Sequence, residues 1–133
     1  MADDTAAKLA AEIAAANAAI LNSINNLNIK ISKLQSKIKE YQAMNAKINE
    51  AVSQLQAANS AISSAASGVK SSYKSSTASQ KSGEITQQQS AIASVIGKLQ
   101  GEVMSASNKK IQTYNTEIQN LTSQINSLRQ SLR

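Results

Sequence analysis

The carboxylates Asp3, Asp4, Glu12, Glu40, Glu50, Glu84, Glu102 and Glu117 are the only acid–base groups of their kind in the chain, and they stand scattered rather than paired. With no Cys and no His, thiolate nucleophiles, imidazole bases and ordinary zinc sites are all excluded. The remaining chemistry-bearing groups are lysines. Lys30, Lys33, Lys37 and Lys39 lie close together, and Lys70, Lys74 and Lys81 form a second group. A net charge of +6 raises nucleic acid and anionic lipid as partners. No aromatic residue is interleaved for base stacking, Arg is nearly absent and no nucleic-acid motif occurs, so no nucleic-acid partner is expected. A solvated lysine face, or an acidic protein partner, is the plainer account. Neither an enzyme nor a bound metal or cofactor is expected.

The elements that carry these groups are set by apolar spacing. Ile24, Leu27, Ile31, Leu34, Ile38, Tyr41, Ile48, Val52, Leu55, Ile62, Ala66, Val69 and Tyr73 recur every three or four positions. A sustained 3.5-residue period predicts a helix packed lengthwise against another helix. The same register runs back through Ile20, Ile13 and Ala10, and Asp3, Asp4 and Thr5 offer caps for a helix beginning near residue 5. The 133 residues include 0 Pro and only 2% aromatics, so nothing forces a break, and large side chains for a compact core are missing. Ser, Gln and Asn dominate the polar surface. They form helices poorly, which makes these helices dependent on packing partners.

A Ser-rich stretch ending in Gly83 predicts a turn over about residues 75–83, after a helix over about 5–74. A second helix over about 84–132 follows. Ile85, Ile92, Ile96, Leu99 and Val103 form one register of it; Ile111, Tyr114, Ile118, Leu121, Ile125, Leu128 and Leu132 form another. The displacement predicts a stutter around Met104–Lys110. Gly97 and Gly101 are expected to loosen this helix or let a neighbour approach closely. A turn centred on residue 79 would place residue i opposite about residue 158 − i. Lys37 would then reach Glu117, Arg133 would lie near Asn25, and residues 1–24 would have no partner. Asn45 and Asn59 interrupt the first seam, where polar residues cost stability and can set register.

The expected fold is therefore all-α, a single domain built as a long antiparallel helical hairpin, a two-helix coiled coil. Two helices rarely supply a sufficient core, so partner helices are expected to complete a bundle. Ala43, Met44, Ala51, Ala58 and Ala61 flank the first seam, and Ala91, Val95 and Met104 flank the second. Of the seam residues, Ile24, Leu27, Ile31, Leu34, Ile38, Ile48, Val52, Leu55, Ile62, Val69, Ile118, Leu121, Ile125 and Leu128 are expected to bind the partner. No basic region leads into a continuous apolar stretch, so no ordinary secretory signal and no stable membrane insertion are expected.

Two long Ser/Gln/Asn-rich helices with an aromatic residue closing the first resemble the small helical proteins of the bacterial WXG/ESX superfamily. Over residues 20–133 the pattern is most similar to the YwqH-like proteins encoded beside LXG toxins in type VII secretion systems. Tyr73, Lys74 and Ser75 stand where the superfamily carries Trp-x-Gly at its turn. Tyr114 has Glu117 three residues on, where the export motif of relatives has an acid at four. The resemblance implies an accessory targeting protein, cytoplasmic or exported without a cleavable signal. It would act beside the helical N-terminal domain of a secreted toxin and a second small helical protein, another member of the complex carrying the export signal. A self-assembling coiled-coil subunit of a filament or scaffold, with the homodimer as its simplest form, is the alternative. A membrane-active hairpin is a third reading, opposed by the short apolar stripes.

Overall fold

The structure, a computed structural model, describes residues 2–72 and 76–133. It is all-α, with two long helical arms in a hairpin-like arrangement. Helix α1 (Ala2–Ser72) forms the first arm. Helix α2 (Ser76–Lys98), a π-helical turn (Leu99–Val103) and helix α3 (Met104–Gln130) form the returning arm. Lys70 and Arg129 occupy the last turns of α1 and α3, where a cation complements the exposed carbonyls.

The chain groups into two compact units. The first comprises Met1–Glu40 and Lys110–Arg133. Here Ile24, Leu34 and Ile38 of α1 are buried, as are Leu121 and Ile125 of α3. Leu27, Ile31, Ile111, Tyr114, Ile118, Leu128 and Leu132 are half-buried between them. Asn17 and Arg133 close this unit with two bonds. The Asn17 Nδ2 donates to the Arg133 carbonyl at 3.0 Å, and the Arg133 amide donates to Asn17 Oδ1 at 3.1 Å.

The second unit is Tyr41–Lys109. Val52, Ala66, Ala78 and Ile96 are its buried apolar residues, and Val52 is only 3% exposed. Tyr41, Ile48, Leu55, Ile85, Ile92, Leu99 and Met104 are half-buried along the same stripe. Burial thus returns every three or four residues along most of both arms, with wider steps from Asn59 to Ala66 and from Leu99 to Met104, as side chains on one helical face do.

Three expectations need correction. Residues 76–83, assigned to the turn, belong to α2; Tyr73, Lys74 and Ser75 lie outside the described residues. A Ser-rich segment without Pro costs each residue only about 0.5 kcal/mol of helix propensity. Burial of Ala78 and a Lys81–Glu84 ion pair at 3.3 Å, one turn apart, offset that cost. The earlier start moves the register. In each unit a residue i of α1 meets roughly residue 150 − i of the returning arm. Arg133 therefore meets Asn17 rather than Asn25. Lys37 sits with its ammonium 5.6 Å from the Tyr114 ring centre, a cation–π contact in place of the pair with Glu117.

The register change on the returning arm is a π turn, and it lies upstream of Met104–Lys110. Inward-facing residues step by three or four throughout that arm except from Leu99 to Met104, where the step is five. A turn of π-helix winds more residues than an α turn, so it absorbs one extra residue and returns Met104 to the stripe. Val103, expected in the seam, is displaced outward and exposed. Gly101 lies within this turn and Gly97 just before it. A Cβ at either would meet nothing within 4 Å, so neither serves a close approach.

Candidate partner-binding face

The residues expected to bind a partner divide into two groups. Ile24, Leu27, Ile31, Leu34, Ile38, Ile48, Val52, Leu55, Ile118, Leu121, Ile125 and Leu128 are buried or half-buried in the stripes between the chain's own arms. Ile62 and Val69 are exposed, Val69 by 43%. The hairpin therefore occupies most of its own seam. What remains for another molecule is Ile62 and Val69 of that seam, Met44, Val95 and Val103 beside it in the second unit, and Leu9, Leu21 and Ile29 in the first.

In the second unit those flanks are unequal. Met44, Ala51, Ala58 and Ala65 each stand one residue before an inward-facing residue of α1, namely Asn45, Val52, Asn59 and Ala66. On the returning arm Val95 stands before Ile96 and Val103 before Met104 in the same way. Because the two helices run in opposite directions, positions of this kind on both arms fall on one side of the seam. Met44, Val95 and Val103 are all exposed there, Val95 by 51%. The other flank of α1 carries Gln42, Asn49, Gln56 and Ser63, all polar and exposed. One side of this unit thus carries small or apolar residues on α1 and Val95 and Val103 on the returning arm, with Lys81 and Gln88 at the same kind of position before Ser82 and Gln89, whereas the other flank of α1 is amide- and hydroxyl-rich.

Two polar layers cross the seam between these sides. Asn45 Nδ2 donates to Asn108 Oδ1 at 3.0 Å. Asn59 Nδ2 donates to the Gln89 carbonyl at 3.3 Å, and Gln89 Nε2 donates to the Asn59 carbonyl at 2.8 Å. Asn45 Oδ1, Asn59 Oδ1 and Ser107 Oγ are buried without a hydrogen bond. Ser107 is only 2% exposed. Each unpaired group costs on the order of 1–3 kcal/mol, so these layers weaken the seam overall while favouring the register in which their amides meet.

Apolar spacing drew attention to Asn45 and Asn59 as interruptions but passed over Gln89, Ser107 and Asn108. The missing signal was positional: Gln89 falls four after Ile85 and three before Ile92, and Ser107 falls three after Met104 and four before Ile111. Compared with known protein families, with curated proteins and with solved structures, the chain matches none. Among the described residues no cluster of three or more acidic, Cys or His groups could hold a metal, and no helix is long and apolar enough to cross a membrane. One open surface concavity is lined by Ser123, Gln124, Ser127, Leu128 and Ser131, and another has Glu12, Asn17 and Arg133 in its lining.

Proposed function

We propose that this chain is a non-enzymatic accessory protein that lays its helices along the helical N-terminal domain of an LXG-type toxin and acts as a targeting adaptor for type VII secretion. The observation that carries the helical-partner part of this reading is the apolar residues that the hairpin leaves exposed: Ile62 and Val69 in its seam, and Met44, Val95 and Val103 beside it. Among the described residues none of the large side chains is completely enclosed. Additional helices would cover these residues as they do in a bundle. The toxin and the secretion route come from the resemblance of the helical pattern. In this reading the protein works in the cytoplasm, or leaves it within a complex whose other member carries the export signal.

The test is recovery of the tagged full-length chain from the cells that naturally make it, with identification of what accompanies it. The expected companion is a larger protein whose N-terminal region is helical, at a fixed ratio to the chain. Recovery of the chain as a uniform large oligomer of itself would instead establish the self-assembling subunit.

A further inference from the structure

We infer that the small-residue side of the second unit, centred on Ala51 and Ala58, is the docking surface for one partner helix whose seam is large and aliphatic and whose flanks are acidic. This rests on the helical-partner reading above and specifies its site and chemistry. The surface continues an interface already formed: Ile48 and Leu55, half-buried between the arms, share the α1 face with Met44, Ala51 and Ala58. A third helix seated there would finish covering side chains that the hairpin covers only in part. Alanines at heptad spacing leave a groove rather than a ridge, and a groove is filled by Leu- or Ile-sized residues, not by more alanine.

Charge argues the same way. Lys47 lies one turn from Met44 and Lys98 one turn from Val95, on the borders of this side. Among the described residues no ion pair joins Lys47 or Lys98 to an acid. Acidic residues flanking the incoming helix would meet these cations at the rim, where they steer association and select the partner. A second copy would bring alanine against alanine and lysine against lysine, a poor match on both counts.

The experiment uses the full chain and two synthetic helical peptides of about four heptads, each with Leu at both seam positions. One carries Glu and the other Lys on its flanks. Anisotropy of the labelled peptides should show the Glu peptide binding at least about tenfold more tightly than the Lys peptide, with the difference shrinking in salt. Ala51→Arg with Ala58→Arg should weaken Glu-peptide binding at least about tenfold, whereas Asn49→Arg with Gln56→Arg on the other flank should leave it unchanged. Circular dichroism should show helix content retained in both double variants. Failure of the Glu peptide to bind, equal binding of the two, or loss of binding only on the Asn49/Gln56 side would overturn the assignment. So would self-association of the unmodified chain that Ala58→Arg abolishes, since a second copy would then cover the face. A natural helical partner whose binding ignores the Ala51/Ala58 change would remove this face and leave the adaptor reading standing. Peptide binding as expected, with no helical partner recovered from cells, would do the reverse.

Discussion

Val52→Asp is expected to cost about 3 kcal/mol or more, enough to melt most of the second unit's tertiary packing near room temperature. Val52 is 3% exposed. An aspartate there loses the apolar burial and places a carboxylate without a partner in a thin interface. Ile62→Asp offers the contrast, because Ile62 occupies the same heptad pattern yet is exposed. Its cost should stay below about 1 kcal/mol, typical of surface changes. Thermal unfolding followed by circular dichroism reads both. Equal destabilisation by the two would mean that burial along α1 is assigned to the wrong residues.

The Asn59–Gln89 layer should give a change of sign. Asn59→Leu alone removes the Nδ2 bond to the Gln89 main-chain carbonyl and keeps the Gln89 Nε2 bond to the main-chain carbonyl of residue 59, at a cost of about 0.5–1.5 kcal/mol. Asn59→Leu combined with Gln89→Leu removes both polar partners and adds apolar contact, so stability should return to the parent value or exceed it. Urea unfolding of the parent, the two single variants and the double variant closes the cycle. The double variant should also lose definition of register, because apolar layers match in several alignments while amides match in one. Additive losses in the double variant would remove the layer's role.

The apolar period was sufficient to locate the inward face on both arms, from Ile24 to Leu55 and from Ile111 to Leu132. A repeat of 3.5 residues has one geometric solution, and charge, Ser content and Asn interruptions do not alter it. Three features were hidden for different reasons. Ser and Gly near residues 76–83 read as a turn because their helix propensity is poor, but propensity is a weak term beside burial of Ala78 and local ion pairing. The π turn showed in sequence only as a displaced register, and its place depended on whether Val103 or Met104 faces inward. Gln89 and Ser107 were invisible to a search for apolar residues, although their positions followed the period.

The candidate face was partly legible. Met44, Ala51, Ala58, Ala91 and Val95 stood out as flanking residues, whereas their sidedness emerged only once both arms were aligned. The seam residues looked like partner contacts because spacing alone does not distinguish a helix that packs on its own chain from one that packs on another.

The antiparallel hairpin stands in the register that joins Asn45 to Asn108. The chain has no cysteine, so a pair can be introduced cleanly. Asn45→Cys with Asn108→Cys replaces side chains that touch at 3.0 Å, and it should cross-link rapidly within one molecule, independently of concentration. Asn45→Cys with Thr113→Cys fits a turn centred on residue 79, and lies about 7.5 Å further along α3 at 1.5 Å per residue. Preferential intramolecular cross-linking of the first pair is the predicted result. Preference for the second pair, or cross-links only between molecules, would contradict the fold on which every inference above depends.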